Sequence, residues 1–122
     1  SQILWTYEDP ERQFPILSSA AVTGRTVIVG GRDKRMRAVD PTTGQLQWAL
    51  VTDGRIDSSP VVVGSRVFIG SADGNLYAVD VATGKEVWRF ETGAPISASP
   101  AVGDRCLVIG NEDGTVFCFA AK

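Results

Sequence analysis

Apolar residues in this chain fall into short runs: Val27-Ile28-Val29, Val67-Phe68-Ile69, Leu76-Tyr77-Ala78-Val79, Leu107-Val108-Ile109. Glycine, aspartate and proline separate them, and β-branched and aromatic residues dominate within them, which predicts strands closed by tight turns. No segment sustains the 3.6-residue period of an amphipathic helix. Several runs are apolar at consecutive positions rather than alternate ones, so both faces of the strands are expected to be covered.

The runs recur. Trp48 and Trp88 stand 40 residues apart, and aligning them brings the rest into register. Ser58-Ser59-Pro60 meets Ala98-Ser99-Pro100, and Val67-Phe68-Ile69-Gly70 meets Leu107-Val108-Ile109-Gly110. A first copy runs from Trp5 to Trp48, a spacing of 43, with its three extra residues between Glu8 and Ile16. In the second copy the four predicted strands cover 56–63, 66–72, 75–80 and 86–92. Four-stranded antiparallel sheets repeating at about 40 residues and covered on both faces are the blades of a β-propeller. The fold class is therefore all-β: an outer strand over 1–8, blades over 9–52 and 53–92, and a last blade over 93–122 that the N-terminal strand completes.

The turn into each fourth strand carries the most specific signal. It reads Ala38-Val39-Asp40-Pro41-Thr42-Thr43-Gly44 up to Trp48, and Ala78-Val79-Asp80-Val81-Ala82-Thr83-Gly84 up to Trp88. An aspartate opening a tight turn accepts backbone N–H groups two or three residues on, and the glycine supplies the positive φ that closes it. Ala38 and Ala78 are small enough to leave room for an indole, so Trp5, Trp48 and Trp88 are expected to be buried in the seams between blades. The pattern Ala-x-Asp-x-x-Thr-Gly-x-x-x-Trp resembles the tryptophan-docking motif of propellers related to quinoprotein alcohol dehydrogenases, the PQQ-like repeats. That family's repeat also builds the lipoprotein of the outer-membrane β-barrel assembly machinery, and extracytoplasmic regions attached to some bacterial kinases. The resemblance implies a protein-interaction scaffold in a periplasmic or extracytoplasmic setting. Two alternatives also follow from it: a fragment of a quinone-dependent dehydrogenase, or a ligand-sensing domain of a signalling protein.

The third copy ends differently, with Cys118 and Ala120 where Ala78 and Asp80 stand, and then Lys122. An aspartate that caps a turn has no task where no turn follows, which reads as a C-terminus. Three blades are too few to close a ring of four to eight. The expectation is a homodimer closing a six-bladed ring, or a portion of a longer propeller.

Composition narrows the function. The 122 residues carry a net charge of −2, which argues against general nucleic-acid binding, and no apolar stretch is long enough for a membrane span. Nor does a basic-then-apolar leader open the sequence. The absence of histidine removes Ser-His and Cys-His catalysis and histidine metal sites. Ser19, Ser59 and Ser99 recur at one repeat position, as structural residues do and nucleophiles do not. Asp73-Gly74 and Asp113-Gly114 read as hairpin turns rather than calcium loops, because further oxygen ligands at alternate positions are missing. If Asp113-Gly114 is a two-residue turn, Cys118 lies opposite Ile109 and Cys106 opposite Ala121. The two cysteines then point to opposite faces, and a disulfide between them is not expected. The resemblance implies an adjacent cysteine pair, a stacking tryptophan and calcium for any quinone site. Here the cysteines are 12 residues apart and the tryptophans belong to the seams, so no cofactor, metal or catalytic residue is expected.

What remains is where the first copy departs from the others. Residues 9–14, with Arg12 and Phe14, lengthen one loop, and Gly31-Arg32-Asp33-Lys34-Arg35 replaces the Asp-Gly hairpin with a basic one. Arg37 stands where the other copies have Tyr77 and Phe117. Both loops should emerge on one face. They form either a solvated surface, with the Arg37 stem laid over apolar neighbours, or a contact patch for an acidic or extended protein segment made of Arg12, Phe14, Arg32, Lys34, Arg35 and Arg37.

Overall fold

The computed structural model describes residues 2–120 and contains three antiparallel sheets. The first winds β1 (Ala21–Val22), β2 (Val27–Gly30), β3 (Arg35–Val39) and β4 (Leu46–Val51) in chain order. The second repeats this with β5 (Val61–Val63), β6 (Arg66–Gly70), β7 (Asn75–Asp80) and β8 (Glu86–Glu91). The third has β9 (Ala101–Gly103), β10 (Cys106–Gly110) and β11 (Val116–Ala120). These are propeller blades, and they stack face to face. Ile28, Met36, Ala38 and Trp48 of the first blade pack on Ile56, Val67, Ile69, Tyr77 and Val79 of the second. Leu76 and Phe68 on the second blade's far face then meet Ile96, Leu107, Ile109, Phe117 and Phe119 of the third.

The innermost strands are shorter than expected, β5 starting at Val61 instead of 56. Residues ahead of it direct their backbone groups to neighbouring blades rather than along a ladder. Ile56 N–H donates to Gly31 C=O (3.1 Å) and Ile96 N–H to Ser71 C=O (3.0 Å). Ser19 N–H donates to Ser59 Oγ (2.7 Å), and Ser59 N–H to Ser99 Oγ (2.8 Å). A staircase of serines thus steps from blade to blade at the repeat spacing. Side chains interlock beside it: a Cβ at Gly30 would overlap Ile56 Cγ2, and a Cβ at Gly70 would overlap Ile96 Cγ2.

The turn motif folds the same way in both complete blades. Asp40 Oδ1 accepts the N–H groups of Thr42 and Thr43 (2.7 and 3.0 Å), and Asp80 Oδ1 those of Ala82 and Thr83 (2.9 and 3.0 Å). Those backbone donors hold the Asp40 carboxyl below its ordinary pKa. Gly44 and Gly84 take φ of +75° and +76°. A register shift after Ala38 and after Ala78 bulges the fourth strand just before its tryptophan pairs with that alanine. The indole then crosses to the next blade. Trp48 Nε1 donates to Val81 C=O (2.8 Å), with the ring lying on Gly84, while Trp5 Nε1 donates to Pro41 C=O (2.8 Å) over Gly44.

Residues 3–7 pair with no strand, and the last blade has three strands, among the described residues. Trp88 also departs from expectation. It is 37% exposed, against 9% for Trp48, and it packs on Phe90 and Phe119 rather than on a docking turn. Positions equivalent to Val81 and Gly84 would follow Ala120, beyond the described residues.

The β10–β11 hairpin corrects the cysteine reading. Asn111 N–H donates to Thr115 C=O (3.0 Å), so the loop is three residues long, with Gly114 at φ +83°. Both turn types place a glycine at positive φ, but the three-residue form shifts the register by one. Cys118 therefore lies opposite Val108, not Ile109, and Cys106 opposite Ala120. Ala121, its expected partner, lies outside the described residues. The thiols share one face, and both are free; the nearby Cys106 thiol raises the pKa of Cys118.

The equivalent loops over 32–34 and 72–74 are built alike, with Lys34 at φ +72° where Gly74 has +90°. A lysine there carries the strain of the left-handed region. Lys34→Gly should raise stability by about 0.5–1 kcal/mol after the glycine's extra unfolded-state entropy, measured by urea denaturation. Gly74→Lys should lower it by more, because Gly74 is buried and a Cβ there would stand 3.3 Å from Ala94 C=O.

Candidate functional site

The basic loop and the 9–14 segment meet at one edge of the first blade, and the site is built around Arg37. Its backbone sits on β3, on the face turned away from the second blade, and its side chain is 2% exposed. The guanidinium donates to Asp33 Oδ1 (3.0 Å) and to Asp9 Oδ2 (3.0 Å), and lies 4.1 Å above the Phe14 ring. Tyr77, at the same repeat position, donates its hydroxyl to Asp73, the counterpart of Asp33. Burial and that bond push the Tyr77 pKa up to about 12. The first blade thus substitutes a cation for a phenol, and the second oxygen acceptor it needs comes from the inserted segment. Asp9 in turn accepts the Glu11 N–H (2.9 Å), fixing its own loop.

Around this buried pair lies a rim of half-exposed cations. Arg12 reaches Asp33 at 3.1 Å, and Arg35 reaches it at 3.8 Å. Arg32 makes a two-pronged pair with Asp57 (2.9 and 3.0 Å), which also accepts from Arg55 (3.4 Å). Burial pushes the Asp33 carboxyl pKa up, but Arg37 and Arg12 outweigh it and hold the net value below the ordinary one. Hydrogen bonds from Arg32 likewise lower Asp57. Burial works against the charge on Arg37, and Asp33 and Asp9 more than restore it. A cleft of about 520 Å³ runs beside Arg37, between the N-terminal segment and β2–β3, lined by Trp5, Tyr7, Arg12, Phe14 and Val29 among others.

The structure therefore brings Arg12, Phe14, Arg35 and Arg37 into one cluster, with Arg32 beside it on Asp57 and Lys34 at the loop apex. Arg37 is an internal strut and offers no surface. Sequence reasoning missed the carboxylates that organise the cluster, Asp9, Asp33 and Asp57. The available signal was Asp57, which stands where the other copies have Leu17 and Ser97. The described residues contain no helix long and apolar enough to cross a membrane.

Residues 1–122 match the family described as outer membrane protein assembly factor BamB. No curated protein sequence matches the chain. Among solved structures, BamB from Moraxella catarrhalis superposes with a TM-score of 0.74 at 22% identity, over 87% of this chain and 34% of its own. Quinohemoprotein alcohol dehydrogenase ADHIIG from Pseudomonas putida HK5 gives 0.81 at 23% identity, over 89% of this chain and 19% of its own. The quinohemoprotein alcohol dehydrogenase of Comamonas testosteroni gives 0.77 at 24%, over 88% and 20%. The chain thus spans about a third of the first and about a fifth of the other two.

Proposed function

This chain belongs to the outer membrane protein assembly factor BamB family, and from that premise we propose that it is a non-enzymatic, extracytoplasmic scaffold that presents its basic rim to an acidic protein segment. One observation carries the reading: five guanidinium groups (Arg12, Arg32, Arg35, Arg37, Arg55) share three carboxylates (Asp9, Asp33, Asp57). Lys34 adds a further charge at the loop apex. The chain as a whole is acidic, so the surplus is local, and local surplus steers a partner of opposite sign. We also propose that the module acts as a pair of chains that together complete a six-bladed ring.

The test uses an acidic decapeptide of alternating glutamate and aspartate. Binding should weaken as salt rises from low to physiological concentration. The triple variant Arg32→Ser, Lys34→Ser, Arg35→Ser should lose about tenfold in affinity. Its melting temperature should move little, since Asp33 keeps Arg12 and Arg37, Asp57 keeps Arg55, and the arginines removed are themselves partly in water. Unchanged peptide binding, or a variant that unfolds, contradicts the reading. A parallel arm adds pyrroloquinoline quinone with Ca²⁺; a saturable rise in melting temperature there supports the dehydrogenase-fragment alternative instead.

A further inference from the structure

The two cysteines of the chain stand on one face of the β10–β11 hairpin. Cys106 lies opposite Ala120 and Cys118 opposite Val108, so the thiols are diagonal neighbours. A two-residue turn would have set them on opposite faces. The other blades show that the fold does not ask for sulfur here. Ile28 lies opposite Ala38 and Phe68 opposite Ala78, so the same diagonal carries Thr26 and Ala38 in the first blade and Arg66 and Ala78 in the second. Only the third blade has a thiol at each end of it. The surrounding side chains are small: Cys106 sits between Ala120 and Gly103, and a Cβ at Gly103 would meet nothing within 4 Å.

The sulfurs interact, and a hydrogen bond with Cys106 holds the Cys118 thiol above its ordinary pKa. They are nonetheless poorly placed for a disulfide. That bond needs Cα atoms within about 7 Å and Cβ atoms about 3.5–4.5 Å apart, whereas diagonal Cα atoms stand about 7–8 Å apart. Two metal–thiolate bonds of about 2.3 Å each bridge a gap that one S–S bond of about 2.05 Å does not. Among the described residues no group of three or more cysteines, aspartates or glutamates is set to hold a metal, so the pair supplies two ligands and no more. Zinc asks for four. A soft monovalent ion with a filled d shell is satisfied by two thiolates.

We propose that Cys106 and Cys118 form a two-thiolate clamp for a soft monovalent metal ion of the Cu(I) class. Each sulfur gives the ion a lone pair and loses its proton to solvent. Two protons leave, the oxidation state of the metal is unchanged, and the loaded site carries one net negative charge. Both ligands belong to one hairpin, so the clamp is complete within residues 103–120 whatever lies against that face. It rests neither on the basic rim nor on the pairing of chains.

Anaerobic titration of the 122-residue chain with Cu(I) buffered by bicinchoninate tests it. One ion per chain should bind, with the ultraviolet charge-transfer band of a copper thiolate. Affinity should rise from about pH 6 to about pH 8, because binding must displace the thiol protons. The bound ion ties β10 to β11 and should raise the melting temperature. Cys106→Thr and Cys118→Ala install residues that the sibling blades carry at those positions. Each should keep the native circular dichroism while losing about a hundredfold or more in affinity. Either variant binding as wild type does, one ion per two chains, or Zn(II) binding as tightly as Cu(I) overturns the clamp. So does a folded chain that closes the Cys106–Cys118 disulfide with oxidised glutathione at unchanged circular dichroism, because the sulfurs would then stand within bonding reach of each other.

Discussion

Replacing Trp48 with alanine should cost about 3–5 kcal/mol, a fifth or more of the roughly 5–15 kcal/mol expected for a domain of this size. The ring is 9% exposed and spans two blades, so the cavity it leaves cannot collapse from one side. Its N–H bond to Val81 C=O is lost as well. The cycle with Gly84→Ala makes the argument specific. In wild type a Cβ at Gly84 would stand 2.5 Å from Trp48 Cδ2, on a backbone at φ +76°. Gly84→Ala alone therefore incurs both the overlap and the left-handed strain. In the Trp48→Ala background only the strain remains, about 1 kcal/mol. Urea denaturation of the four proteins should show the double variant losing clearly less than the sum of the two single losses. Trp88→Ala should cost only about 1–2 kcal/mol, because that ring is partly in water and keeps its contacts within two blades. Equal losses at Trp48 and Trp88 would contradict the docking role.

Arg37→Ala should cost about 3 kcal/mol near neutral pH, the lower end for breaking a buried pair from one side. Asp33, whose side chain is 6% exposed, keeps only the outlying Arg12 and Arg35. The pH dependence distinguishes lost charge from lost packing. In wild type the Asp33 pKa lies below its unfolded value near 3.8. Its contribution is therefore present above that value and lost as pH falls through the folded pKa. In Arg37→Ala burial dominates and the sign reverses: the folded carboxyl prefers its proton, so acid relieves the variant. The gap in stability between the two proteins should narrow from pH 7 to pH 3.5. A constant gap would assign the loss to packing alone. Arg37→Tyr, which rebuilds the Tyr77–Asp73 arrangement, should recover part of the stability.

The repeat, the strands and the docking turn were legible because each follows from local chemistry: strand runs, an aspartate that caps its own turn, a glycine at positive φ. The hairpin at Asp113-Gly114 was not, since a two-residue and a three-residue turn both demand a glycine there, and the choice between them decides which face Cys118 occupies. The basic cluster was legible only in part. Arg37 stood out from Tyr77 and Phe117, but its neutralisation by Asp9, 28 residues away, depends on the path of an inserted loop that no periodicity describes. Trp88 shows a further limit. The motif says that an indole is offered to the next blade, and only the packing shows whether a turn is there to receive it.

Every sheet here is wound from strands adjacent in sequence, and every blade meets its neighbour through the same interlocking contacts. Nothing in those contacts counts blades. Excising residues 53–92 would set Ile96 over Gly30 and Ser99 Oγ beside Ser19 N–H, while Trp48 inherited the place of Trp88. Genetic gain or loss of a whole 40-residue unit therefore leaves each junction intact in kind, and the number of units is free to drift until geometry closes the circle.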